Sequence, residues 1–278
     1  MSAVIRVDLH THSTDSDGTL SPEELVRHAR RRGVAVLSLT DHDTTAGLES
    51  FLLACRQNGV RGIAGVELSA EAPYTLHLLG YHFTSGDPHM EAVLSGVRDH
   101  RDRRNGLICE KLQQLGVSVS LEDAQRETGG GVVARPHIAR VLIRKGYARD
   151  MRDAFARYLG RGALAYVHRE RLSPQECLEL IAAAGGVAVL AHPSQTGLAP
   201  DDLEALLRRL RDSGLWGLEC YTSSSRPDEL FAHLRLAGKL GLHVTAGSDF
   251  HGGNRPGVDM GHVVEESLLP WARLGVTL

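Results

Sequence analysis

The chain has 278 residues, room for one large α/β domain or two smaller ones with a full hydrophobic core. Its 31 basic and 34 acidic side chains leave a net charge of −3, and with 42% hydrophobic and 23% charged residues the composition excludes disordered, collagenous and coiled-coil classes. The longest apolar run, Leu180 to Ala191, is about half of the roughly 20 residues a bilayer span requires; Met1 to His10 lacks the basic-then-apolar signature of a signal peptide, so a cytoplasmic protein is expected.

Short β-rich runs alternate with helical patterns, which favours βα units around a parallel sheet or barrel. Val4 to Leu9 reads as the first strand. Ser21-Pro22-Glu23-Glu24 then supplies an N-cap, a proline at the first helical position and a capping-box glutamate for a helix ending at Gly33. A strand over Val34 to Leu39 follows, then a helix from about Thr45 to Gln57 that stops near Asn58-Gly59. Strands are predicted around Arg61 to Val66 and Thr75 to Tyr81. The same grammar returns at Ser173-Pro174-Gln175-Glu176, which opens a helix closed by Gly185-Gly186 and followed by a strand over Val187 to Ala191. Trp216 to Cys220 and His243 to Ala246 are the last predicted strands.

Between these two regions, residues 91–166 change to arginine-rich helical segments and read as an insertion, leaving 1–90 and 167–278 as the main domain. From Arg98 to Arg161 there are 14 Lys and Arg against 8 Asp and Glu, so this segment carries +6 and the remainder −9. Such a charge run is commonly a solvated helical face, but it is also the field an anionic substrate needs. Gly129-Gly130-Gly131 reads either as a flexible link or as a phosphate-cradling nest. The four cysteines, Cys55, Cys109, Cys177 and Cys220, form no C-x-x-C pair, so neither a disulfide framework nor a thiolate zinc ribbon is expected.

Histidine is over-represented, at 15 residues. His10-Thr11-His12 follows the first strand, and on extended chain both rings of an H-x-H pair point to one side. Taken alone, either ring could instead cap a turn. Asp15 and Asp17 follow in a Ser/Asp/Gly turn. Asp41-His42-Asp43, Glu67, His77, His192 and Asp249-Phe250-His251 each fall at or near a strand end, the place where barrel active sites collect. His28, His89, His100, His233 and His262 lack that setting and read as surface or internally satisfied residues. His82, five residues after His77, should point away from it, because residues share a strand face only at even spacings. So many convergent polar groups would be costly to bury without an ion, which points to a divalent metal cluster.

With these motifs in order, Asp8-Leu9-His10-Thr11-His12, Ser16-Asp17-Gly18, Thr40-Asp41-His42-Asp43, Gly65-Val66-Glu67, Leu76-His77, Ala191-His192-Pro193 and Ser248-Asp249-Phe250-His251, the chain resembles the PHP (polymerase and histidinol phosphatase) family over most of its length. The resemblance implies an α/β fold, a distorted (β/α)7 barrel carrying the mainly helical basic insertion, with two or three divalent metals at the carboxyl ends of its strands. Carried over, His10, His12 and Asp249 would hold one metal, Glu67 would bridge to a second that also uses His77 and His192, and Asp17, His42 and His251 would complete a third. Manganese is expected, with zinc, iron or magnesium as alternatives.

Such a cluster suits phosphoester hydrolysis by activated water attacking phosphorus in line. His42, His192 or Asp15 could protonate the leaving alkoxide. Arg135-Pro136-His137 resembles a motif of the family's nucleotide- and oligonucleotide-acting subgroup, so Arg135 would grip a phosphate bidentately and His137 would hydrogen-bond to it. Arg104, Asn105 and Lys145 are weaker substrate-binding candidates. The expected activity is removal of the 3′-phosphate from a nucleoside 3′,5′-bisphosphate; a 5′-to-3′ exonuclease on short 5′-phosphorylated RNA or DNA is the alternative. Histidinol-phosphate phosphatase and a non-catalytic, metal-stabilised module rank lower. Few aromatics and a negative net charge disfavour long nucleic acid as a tightly bound partner, and no membrane partner is expected.

Overall fold

The computed structural model describes residues 3–128, 132–168 and 170–277. The chain forms two compact units, Met1–Val93 together with Arg171–Leu278, and Leu94–Glu170. The first holds an eight-stranded sheet in the order β7-β6-β5-β4-β3-β2-β1-β8. Its strands are β1 (Val4–Asp8), β2 (Val36–Leu39), β3 (Arg61–Ser69), β4 (His77–Tyr81), β5 (Val187–Leu190), β6 (Gly217–Thr222), β7 (His243–Gly247) and β8 (His262–Glu265). Val7, Leu9, Val36, Ile63, Leu79, Tyr81, Val189 and Ala246 fill the barrel core.

Beyond β1 the chain keeps pairing with the end of β7. The Leu9 amide donates to Ala246 O at 2.9 Å, the His12 amide donates to Phe250 O at 2.9 Å, and Thr11 bridges Phe250 in parallel. These bonds bring the two ends of the β1–β7 array together and leave the sheet nearly closed, while Val4 to Val7 of β1 carry β8 as an extra antiparallel strand. The barrel is distorted in a second respect. β4 runs antiparallel to both β3 and β5, with Ser69 opposite His77. His77 therefore does not lie at a carboxyl end: it opens a reversed strand, which places it on the same rim as the carboxyl ends of the parallel strands.

Helices α1 (Pro22–Arg31), α2 (Leu48–Asn58), α7 (Pro174–Ala183), α8 (Pro200–Asp212) and α9 (Pro227–Leu240) accompany this sheet. The capping boxes expected at Ser21 and Ser173 are both formed, with each serine hydroxyl accepting from the amide three residues on. Two of the helices, α8 and α9, were not among the predicted elements. Among the described residues no helix is long and apolar enough to cross a membrane.

The second unit begins within α3 (Pro88–Gln114) and contains α4 (Leu121–Arg126), α5 (Arg135–Arg144), α6 (Met151–Ala154) and a π-helical turn over Phe155–Leu159. Ile108, Leu112, Val119, Ile138, Val141, Leu142 and Leu159 form its own core. The units divide at 93/94 and 170/171, against sequence boundaries drawn at 90/91 and 166/167.

Candidate metal centre

Eight of the nine candidate ligands fall into three overlapping groups whose donor atoms lie within 4.8 Å of one another: His10, His12, Glu67 and Asp249; His42, Glu67 and His77; and His12, Asp17, His42 and His251. The ninth, His192, joins through Nε2, 3.0 Å from Glu67 Oε1, and its ring stacks on that of His10 with centroids 5.6 Å apart. Glu67 lies at the middle. Its Oε1 also meets His77 Nδ1 at 2.8 Å, and its Oε2 meets His42 Nδ1 at 3.0 Å and the Nε2 atoms of His10 and His12 at 3.3 Å each. His42 faces two sides, because its Nε2 lies 3.9 Å from Asp17 Oδ2.

The local fold that gathers these groups is unusual. Among the described residues, three of the four non-glycine residues with positive φ, Asp43 (54°), His192 (27°) and Asp249 (59°), sit where the chain leaves the barrel rim beside the cluster. Such conformations persist only where surrounding contacts hold them. Asp8 is one such holder: its carboxylate accepts from Ser248 N (2.8 Å), Ser248 Oγ (2.6 Å) and Gly261 N (2.8 Å), so the start of the β7 loop is tied to the end of β1. Asp41 does the same for the 13–16 turn, accepting from Ser13 N at 2.8 Å, Ser13 Oγ at 2.6 Å and Ser16 Oγ at 2.5 Å. Gly247 permits the close approach of β7, because a Cβ there would collide with His10 Cβ and lie 2.5 Å from Glu219 Oε1.

A third buried carboxylate, Glu219 on β6, was not a candidate in the sequence. Its Oε1 accepts from His10 Nδ1 at 3.0 Å and its Oε2 from the His192 amide at 2.7 Å. Donation from His10 Nδ1 leaves Nε2 as the ring's lone-pair atom, turned toward Glu67 and Asp249. His251 is fixed in the same way: Nδ1 donates to Asp249 O at 2.8 Å, and Nε2 faces Asp17 Oδ1 at 3.2 Å. The signal for Glu219 was present in principle, as an acid in the middle of the apolar strand Gly-Leu-Glu-Cys-Tyr is expensive unless partnered.

The donor set fits divalent metal. His10 Nε2, His12 Nε2, His42 Nδ1 and Glu67 Oε2 are buried without hydrogen-bonding geometry to any partner, yet they converge on one place. Burial by itself disfavours charge on His12, but Asp249 and Glu67 outweigh it and push its pKa up to about 10. For Glu67 burial is likewise outweighed, by His42, His10 and His77, which hold its carboxyl well below the usual range. Asp249 is held down against burial by His10 and His12. Without an ion, protons on the imidazoles supply the positive charge these carboxylates require. A cation would supply it instead, and six imidazoles with three carboxylates suit Mn, Zn or Fe.

The other candidates lie as follows. Asp15 belongs to none of the three groups; a Cβ on Gly47 would sit 2.5 Å from its Oδ2, and burial, Asp41 and Glu23 raise its pKa. His82 follows the last residue of β4, at the end opposite His77, and a Cβ on Gly275 would collide with its ring. His28 is half-buried and stacks on Phe250 with ring centroids 5.2 Å apart, and its Nε2, like Nδ1 of the buried His233, has no hydrogen-bond partner.

In the helical unit, Arg135 and His137 occupy the first turn of α5. Arg135 donates from Nη1 to Leu159 O at 3.3 Å with its guanidinium over the Phe155 ring, and His137 Nδ1 accepts from the Ala134 amide at 2.9 Å. Asn105 lies nearby, donating to Val133 O at 2.8 Å, and Arg104 donates to Val167 O at 3.2 Å. Lys145 is at the far end of α5, on Ser118 O at 2.9 Å and Asp123 Oδ2 at 2.5 Å, so the structure does not bring it together with Arg135. Gly129, Gly130 and Gly131 lie outside the described residues.

The PHP domain family matches residues 8–161. A 3′,5′-nucleoside bisphosphate phosphatase of Chromobacterium violaceum is 34% identical over 96% of this chain and 94% of its own. A 5′-3′ exoribonuclease of Haemophilus influenzae is 36% identical over 88% of this chain and 90% of its own. A solved structure described as an amidohydrolase from Chromobacterium violaceum, with bound sulfate and no metal, superposes with a TM-score of 0.85 at 32% identity and covers 97% of this chain and 95% of its own. This chain belongs to the PHP domain family.

Proposed function

We propose that the chain is a metal-dependent phosphoesterase that converts nucleoside 3′,5′-bisphosphates to the 5′-monophosphate and inorganic phosphate. The observation that carries this reading is the set of three ligand groups sharing His12, His42 and Glu67 at one barrel rim. A single structural metal needs only four closed ligands, whereas overlapping groups suit the paired ions of phosphoester hydrolysis. The similarity to a bisphosphate phosphatase supports the substrate.

His10, His12 and Asp249, Glu67 with His77 and His192, and Asp17, His42 and His251 would hold two or three ions, manganese first. When bound, these ions lower the pKa of water and place positive charge on the phosphate oxygens. Glu219 keeps His10 in its ligating tautomer. In the reaction the bond from phosphorus to the ribose 3′-oxygen breaks, the water oxygen joins phosphorus, and a proton ends on the 3′-oxygen. Asp15 is the favoured proton source, because the Nδ1 and Nε2 atoms of His42 face Glu67 and Asp17 and His192 Nε2 faces Glu67. Arg135 and His137 are the proposed phosphate ligands of the helical unit, with Arg104, Asn105 and Lys145 subordinate. Four free, buried cysteines support a reducing compartment, the cytoplasm.

The second reading is 5′-to-3′ hydrolysis of short 5′-phosphorylated oligonucleotides, supported by the exoribonuclease similarity. The bond cleaved there occupies the position of the bisphosphate's 3′-ester. The test is phosphate release from adenosine 3′,5′-bisphosphate with manganese, against His10→Asn as background and with chromatography of the nucleoside product. AMP as product is expected. Release of a mononucleotide only from a 5′-phosphorylated dinucleotide would establish the second reading instead.

A further inference from the structure

The loop after β7 carries a guanidinium to the metal cluster from within the barrel unit itself. Asp249 divides its two oxygens. Oδ1 faces the imidazoles, 3.5 Å from His10 Nε2, 3.4 Å from His12 Nε2 and 3.5 Å from His251 Nδ1. Oδ2 faces outward, paired with Arg255 Nη1 and 3.4 Å from Gln195 Nε2. Arg255 thus pairs directly with a carboxylate of the cluster, and its side chain is about a third exposed, at 31%.

The loop is pinned rather than free. Asn254 Nδ2 donates to Asp17 O at 2.8 Å, the Gly253 amide donates to Thr19 Oγ1 at 2.9 Å, and Gly252 takes φ 62° where a Cβ would collide with Thr19 Oγ1. Arg255 is thus held beside the cluster by the same turn that presents Asp17.

We propose that Arg255 is a phosphate-binding side chain of this site, held on Asp249 until a cation and a phosphate take the two partners apart. The proposal rests on the phosphoesterase reading. A divalent ion held by Asp249 and the imidazoles would weaken the carboxylate's hold on the guanidinium, which has further N–H donors besides Nη1 in a planar fork matched to two phosphate oxygens. A purely orienting role for Arg255 predicts the opposite response of the metal. If Arg255 serves to aim Asp249, its removal weakens metal binding; if it competes with the metal for Asp249, removal leaves metal binding unchanged or tightens it.

The experiment compares wild type with Arg255→Ala and Arg255→Gln, all confirmed as folded by circular dichroism. Calorimetry measures manganese affinity without substrate and inorganic phosphate affinity of the manganese-loaded protein, and steady-state kinetics follow adenosine 3′,5′-bisphosphate. Phosphate affinity is expected to fall by about tenfold or more, with KM rising in parallel, kcat changing less than about threefold and manganese affinity not falling. Unchanged phosphate affinity in both variants overturns the proposal, as does a tenfold loss of manganese affinity. A wild type that binds phosphate through Arg255 but hydrolyses no bisphosphate would sink the substrate reading and leave this assignment standing.

Discussion

At the scale of single residues, Glu219 shows how much of a metal site lies outside its ligands. The carboxylate is fully buried and has two jobs, accepting from His10 Nδ1 and from the His192 amide, so one side chain orients two candidate ligands. Glu219→Gln keeps the volume but removes the charge and turns one acceptor into a donor. Outer partners of this kind typically contribute about 10- to 100-fold in metal affinity. Manganese affinity by calorimetry should fall by that factor while the far-ultraviolet spectrum is kept, and a variant binding manganese like wild type would remove Glu219 from the site. His82→Ala supplies the control, because its ring is packed by Gly275 at the opposite end of β4 and manganese content should not change.

At the scale of elements, helix caps and a strand seam differ in what they support. Ser21→Ala and Ser173→Ala each delete a capping-box acceptor, which costs about 1 kcal/mol per helix in denaturant unfolding and leaves catalysis unchanged. Gly247→Ala forces a methyl group between β7, His10 and Glu219, an overpacking that costs about 1–3 kcal/mol and removes metal binding with it. Equal effects of the cap and seam substitutions on metal binding would contradict this division. The elements also show what was readable beforehand. Ser21-Pro22 and Ser173-Pro174 are local chemistry, so the starts of α1 and α7 were legible, as were seven strands, each a short run rich in apolar residues. The reversal of β4 was not legible, since Thr75 to Tyr81 has the same composition in either direction and only its pairing with β3 and β5 sets its sense. β8 escaped for the opposite reason: His262 to Glu265 has one buried position, Val264, and lacks an apolar run. The convergence of the candidate residues was legible because histidines and acids at strand ends have few other uses. Arg255 was not, because nothing in its sequence neighbourhood states that the loop folds back on Asp17 and Thr19.

At the scale of the whole molecule, the cluster makes stability a function of both pH and metal. Six imidazoles surround three carboxylates, and in the metal-free protein protons must balance them. His12 has a folded pKa of about 10 against 6.5 for an ordinary histidine, so its contribution is full below 6.5 and is lost as pH rises toward 10. His10 and His42 are raised as well and act in the same direction, while His77 is lowered by burial and acts against them. Glu67 and Asp249 are depressed, so their contributions are present above ordinary carboxylate values of 4.5 and 3.8 and are lost only as pH falls below them. The metal-free protein should therefore be most stable between about pH 4.5 and 6.5 and should weaken on the alkaline side. Metal reverses that slope, because ligating imidazoles must be deprotonated and binding strengthens as pH rises. Thermal unfolding at pH 6 and pH 9, with chelator and with manganese, tests both statements at once. The Tm difference between loaded and chelated protein should be larger at pH 9 by about 5 °C or more, since 1 kcal/mol moves Tm by roughly 2–4 °C in a protein of this size class. A chelated protein equally stable at pH 6 and 9 would mean that the imidazoles are not protonated by their carboxylate neighbours, and the charge balance that argues for a cation here would fail.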